Sequence, residues 1–187
     1  MGENKLGNPA VVGLAGFGMT TLLLQFHNLG ISGLGPVMAM GFIYGGLAQF
    51  IAGLMEQKTG NNFGFAAFTA YGAFWIGLGI IWLLNQYNVY PSSMTDVGLY
   101  LVGWTLITAL FFIGSLFIHT AMVITFFTLL LGFFLLDLGH FGHPQMNVAA
   151  GYVLIICALS AWYMMIRIIL NDLSGKELLK AGKPWIK

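Results

Sequence analysis

The sequence predicts an all-α polytopic membrane protein of six transmembrane helices, on three observations. Charged residues make up only 7% of the chain and hydrophobic ones 58%, whereas a water-soluble domain carries about 25% charge. So little charge cannot cover a water-facing surface. Six apolar runs, at 9–29, 36–55, 63–85, 97–118, 120–138 and 145–169, each approach the roughly 20 residues that cross a bilayer as a helix. With that count, Lys5, Lys58, Arg167, Lys176, Lys180, Lys183 and Lys187 all fall on one side, while the first, third and fifth loops hold no Lys or Arg. The positive-inside rule then places both termini in the cytoplasm. The chain divides into an N-terminal tail (1–8), a membrane domain (9–170) in the cytoplasmic membrane and a C-terminal tail (171–187).

The first span opens at Asn8, a good N-cap, with Pro9 at the first helical position, where its missing N–H is no loss. Gly13, Gly16 and Gly18 follow. Each would cost a soluble helix about 1 kcal/mol against Ala, but in a membrane they let neighbouring backbones pack closely. Phe17, Thr20 or Thr21, Leu24 and Asn28 share one helical face. Lipid gains nothing from Thr and Asn, so that face is read as turned inward. After a break at Gly30–Gly35, the second span carries Gly41-Phe42-Ile43-Tyr44-Gly45-Gly46, a small-xxx-small pattern, then Ala48, Ala52 and Gly53. The third, beyond Glu56–Asn62, carries Gly64, Gly72, Gly77 and Gly79. The first three helices are therefore predicted to pack tightly on one another. Spans four to six are bulkier. Gln86–Asp96 precedes the fourth, His119 marks a very short turn before the fifth, and Asp137–Pro144 separates the fifth from the sixth. The polar tail reads as partly helical from Ser174. The halves show no self-similarity. The first apolar run is too long and glycine-rich for a cleavable signal peptide.

A net charge of +1 gives no reason to expect a nucleic-acid partner, and one cysteine, Cys157, excludes an intrachain disulfide; in its apolar run it reads as a small buried hydrophobe. No ionisable residue is placed mid-membrane: Glu56 ends the second span, Asp137 the fifth, and His27 lies near the end of the first. That argues against a strongly charge-coupled pump and against paired catalytic carboxylates, and favours a channel or weak coupling. The uncharged polar residues in the runs, such as Gln25, Thr69, Thr105, Thr108, Thr125, Thr128 and Asn147, serve equally as interhelical hydrogen-bond partners worth about 0.6 kcal/mol each. Alternatively, hydroxyls and amides replace part of a small solute's hydration shell without holding it. Thr20 and Gln49 are candidates for that second role, with Tyr44 beside the same glycines. His27, with Asn28, is a candidate to meet an anionic substrate at the outer mouth. Asp137, His140 and His143 have ligand-like spacing, but one short loop supplies no fourth ligand, so the run reads as a solvated loop. No metal or cofactor is expected.

Asn8-Pro9-Ala10-Val11-Val12-Gly13-Leu14, continuing as Gly16-Phe17-Gly18-Met19-Thr20-Thr21 and His27-Asn28, closely resembles the opening of the acetate uptake transporter family, the succinate–acetate permeases. Their signature reads Asn-Pro-Ala-Pro-Leu-Gly-Leu; here two valines replace the second Pro and the following Leu, which bears on substrate choice more than on fold. The resemblance runs through the whole chain, strongest up to about Trp75 and weakest in the tail. It implies transport of acetate, and of other short carboxylates such as succinate, by a homo-hexamer with one pore per protomer. It also implies that Phe17, Tyr71 and Leu129 form a narrow hydrophobic constriction. Phe17 is anchored by the motif above, Tyr71 by Ala67-Phe68-Thr69-Ala70-Tyr71-Gly72, and Leu129, more loosely, by Phe126-Phe127-Thr128-Leu129. An apolar ring of this kind stops hydrated ions by dewetting while a small, partly apolar solute passes. The runner-up is a channel for another small solute such as ammonia or urea. An aquaporin would need a second Asn-Pro-Ala, an internal repeat and a filter arginine, whereas no arginine precedes Arg167. A membrane enzyme would need a nucleophile or metal constellation inside the bilayer, and none is visible. A scaffold role fits the composition too, and only flux separates it from transport.

Overall fold

The computed structural model describes residues 6–187; the placement of Lys5 and of most of the N-terminal tail lies outside the described residues. Every regular element among them is helical: α1 (Ala10–Asn28), α2 (Gly35–Phe42), a π-helical segment (Ile43–Ala48), α3 (Gln49–Thr59), α4 (Asn62–Gln86), α5 (Met94–Ser115), α6 (Thr120–His140) and α7 (Met146–Ser174). The six stretches long and apolar enough to cross a membrane are α1, the continuous Gly35–Thr59, and α4 to α7.

The helix starts follow local chemistry. Asn8 Oδ1 accepts from the Ala10 amide at 2.9 Å, which satisfies one of the orphan donors of a first turn. Asn61 accepts from the Gly64 amide at 3.0 Å, and Ser93 and Asp96 form a reciprocal capping box. His119, expected only as a turn residue, caps α6 by accepting from the Met122 amide at 3.1 Å.

The second span is not one uniform α-helix. It widens at Ile43–Ala48 into i→i+5 bonding, a local insertion that recurs at functional sites. Glycine explains why it is tolerated: a Cβ on Gly16 would strike the Tyr44 carbonyl oxygen, and one on Gly45 would strike the Thr20 hydroxyl. The first two spans thus touch backbone to backbone. Spans one to three pack tightly on one another, as expected, and α1 packs as closely along the last span. The most extensive partner of α1 is α7, because the Trp162 indole lies across Gly18 and donates to the Ala15 carbonyl at 3.2 Å.

Two expectations are corrected. Asp137 and His140 lie within α6, not in an outer loop, and the Asp137 carboxylate accepts the Thr105 hydroxyl of α5 at 2.6 Å. The tail, expected to be partly helical from Ser174, instead stops being helical there, at Gly175 in the left-handed region (φ 65°). It then runs back as an irregular strap under the α5–α6 turn. The Ala121 amide donates to the Ala181 carbonyl at 2.9 Å, and the Trp185 and Ile186 amides donate to the Leu116 carbonyl at 2.9 and 3.1 Å. The end of α5 and the start of α6 leave orphan backbone groups, and the strap supplies their partners.

Candidate functional site

Two neighbouring cavities lie within the bundle. The larger, about 580 Å³, is walled by α1, α3, α4, α6 and α7, and its mouth is lined by Leu6, Gly7, Asn8, Asn61, His119 and Arg167. These residues come from the lead-in to α1, the α3–α4 loop, the α5–α6 turn and α7, on the face that also holds the C-terminal strap. The second is a void of about 20 Å³ lined by Thr21, Gln25, Trp75 and Phe133 among others, room for about one water. Three residues wall both cavities: Phe17, Tyr71 and Leu129.

These three are 6%, 3% and 4% exposed. The Phe17 and Tyr71 rings meet edge to face, centroids 5.8 Å apart. Tyr71 is wedged further by Trp104, Phe111 and Phe126 at 6.0, 5.8 and 6.2 Å, and its hydroxyl shares a 2.8 Å hydrogen bond with Thr108. The hydrogen bond offsets what the buried Tyr O–H loses on leaving water. The side of Tyr71 toward the cavities therefore presents an apolar ring.

The polar groups around this apolar junction are incompletely satisfied. Gln49 is fully buried and lines the larger cavity, yet neither Oε1 nor Nε2 has a hydrogen-bond partner. An unpaired buried polar group costs about 1–3 kcal/mol, and this amide has no protein partner to offset that cost. Glu56, on the same wall, is 2% exposed. Its Oε2 accepts from Thr59 Oγ1 at 3.1 Å and Asn61 Nδ2 at 2.9 Å, and its Oε1 has no partner. Glu56 stands in the last turn of its span, as expected, but its burial corrects the expectation that no buried carboxylate is available for coupling. The signal was present in the sequence: Thr59 and Asn61 stand three and five residues on, within reach across a helix end. At the smaller void, Thr21 Oγ1 and Trp75 Nε1 are likewise buried and unpartnered. At the mouth, burial holds the His119 imidazole below its usual range, and nearby Arg167 lowers it further.

Asn8, Ala10 and Leu14 line the larger cavity with Gln49. Pro9 and Gly13 stand behind that wall, Gly13 against the Phe68 ring. Thr20, Tyr44 and His27 line neither cavity: Thr20 donates to the Met40 carbonyl at 3.3 Å, and His27 Nδ1 lies 3.1 Å from the Ser32 carbonyl oxygen. Among the described residues no three His, Cys, Asp or Glu side chains cluster as a metal site.

Comparison with known proteins agrees with this architecture. The profile of the GPR1/FUN34/yaaH family matches residues 1–175. The chain is 41% identical over 186 residues to the succinate-acetate/proton symporter SatP of Escherichia coli (strain K12), covering 98% of this chain and 99% of that one. It is 34% identical over 202 residues to acetate permease A of Emericella nidulans, covering 97% of this chain and 68% of that one. A solved structure of the bacterial acetate channel SatP superimposes with a TM-score of 0.92 at 41% identity, covering 95% of this chain and 100% of that chain.

Proposed function

The chain belongs to the GPR1/FUN34/yaaH family, and on that premise we propose that it is a transporter, not an enzyme, that carries acetate and short dicarboxylates such as succinate. In this reading it sits in the cytoplasmic membrane with both termini inside, as a hexamer with a separate pathway in each protomer. The solute enters the 580 Å³ vestibule, where the Gln49 amide replaces part of its hydration shell. It then passes the ring of Phe17, Tyr71 and Leu129 toward Thr21 and Trp75. The ring excludes hydrated ions because an apolar neck offers them no ligands and dewets, whereas a two-carbon acid exposes a methyl group and few polar atoms. Thr20 and Tyr44 support the wall from behind, and His27 stands near the far end of α1.

The observation that supports the reading is that the same three side chains line both cavities. The test is labelled-acetate uptake into liposomes holding purified protein, with and without a pH gradient, with ammonia and urea permeation measured alongside. Wild-type protein takes up acetate, and Phe17→Ala raises the flux or admits larger acids. Unchanged flux and selectivity in that variant would remove Phe17 from the gate. Permeation of ammonia or urea without acetate would transfer the protein to the other solute class.

A further inference from the structure

We infer that Arg167 is the anion-capturing residue at the vestibule mouth, its guanidinium exchanging the carboxylate of Glu177 for that of the substrate. This rests on the carboxylate-transport reading. Among the described residues lining the vestibule, Arg167 is the only Lys or Arg. Its Nε is buried and has no hydrogen-bond partner. Nη2 lies 3.6 Å from Glu177 Oε1, beyond hydrogen-bond length, so the pair is a loose charge contact. Glu177 is 56% exposed and Arg167 26%, so this pair is screened by solvent and weak. A guanidinium presents a planar fork that matches a carboxylate in two parallel bonds, and here Nε has no protein partner on a side chain that lines the vestibule.

The counter-ion is held in place by the strap. Asn171 Oδ1 accepts from the Leu178 and Leu179 amides at 2.8 and 3.0 Å, and its Nδ2 donates to the Leu179 carbonyl at 2.9 Å. That clasp fixes the turn carrying Glu177 beside α7. In the same cavity wall stands Glu56, a carboxyl group that, when ionised, repels an entering anion. His119, its imidazole disfavoured as a cation by burial and by Arg167, does not offset this. The fixed positive charge at the mouth is therefore Arg167, and Glu177 is its displaceable placeholder.

The experiment measures labelled-acetate exchange in liposomes by full-length wild type, R167Q, R167K and E177Q at low and high salt. Acetate protection against thermal unfolding is recorded in parallel. The expected result is a rise in KM of roughly threefold to tenfold in R167Q, larger than any fall in Vmax, with partial recovery in R167K. E177Q is expected to lower KM roughly twofold, and the difference between wild type and R167Q to shrink at about 1 M salt. An unchanged KM in R167Q overturns the inference. So does a raised KM in E177Q, which would mark the pair as a structural brace, and this second readout stands even where R167Q fails to fold. Wild-type liposomes that exchange no acetate would defeat the transport reading itself, a result distinct from normal exchange that is indifferent to Arg167.

Discussion

Gln49 and Glu56 stand seven residues apart on one face of α3, and both have buried polar atoms without protein partners. They differ in what a substitution should do. The Gln49 amide makes no protein hydrogen bond, so Gln49→Leu is expected to keep or raise the melting temperature in detergent while lowering acetate uptake, a trade of function for stability. Loss of both would show that the amide braces the bundle. Glu56, by contrast, anchors Asn61 at 2.9 Å, and Asn61 in turn caps α4. Glu56→Leu should cost about 1–3 kcal/mol by orphaning that donor, and Glu56→Gln less, because an amide oxygen still accepts. Equal losses in the two variants, read from thermal unfolding, would assign the clasp to charge instead of hydrogen bonding. The presence of Gln49 in an apolar run is visible in the sequence. That it lines a cavity with an unpartnered amide is not, since helical spacing alone does not say which face is lipid.

Small residues in the first two spans announce close packing, and the structure shows what each admits. Gly16 faces the Tyr44 carbonyl in the π-helical segment, whereas Gly103 on α5 has nothing within 4 Å of an added Cβ. Gly16→Ala should therefore destabilise by roughly 1–3 kcal/mol through overpacking. Gly103→Ala should be neutral or slightly stabilising through helix propensity. Matched losses of melting temperature would show that the Tyr44 contact is not tight. The π-helical segment itself left no trace in hydropathy: an apolar run reads the same through i→i+4 and i→i+5 bonding. The tail follows the same logic. Its polar composition suggests a solvated end, yet Ala181 is buried because unpaired backbone groups at the α5–α6 turn recruit it.

Across the whole molecule, an even number of spans puts the lead-in to α1, the α3–α4 loop, the α5–α6 turn and the strap on one face. The vestibule opens on that face, and there the basic residues gather. A fluorescent protein fused after Lys187 should fluoresce in cells as a cytoplasmic domain, whereas one inserted at 89–91 should not fold on the far side. The opposite pattern would invert the topology and turn the vestibule outward. The most exposed span is α5, with Leu99, Leu106, Leu110 and Ile113 each more than half exposed, which leaves a broad apolar surface for lipid or for neighbouring protomers.

Six spans and the sidedness of their charges are written in the sequence because hydropathy is summed over one continuous stretch and basic residues are counted in loops, both local quantities. The N-terminal cap at Asn8 is legible for the same reason. Phe17, Tyr71 and Leu129 come from family resemblance, since no periodicity links positions 17, 71 and 129. Tertiary structure alone decided that these three line two neighbouring cavities, that Glu56 at the end of its span is buried, and that Arg167 lines the larger cavity with a strap-borne acid beside it. Each depends on which face of one helix meets another far along the chain, and that choice is made by packing.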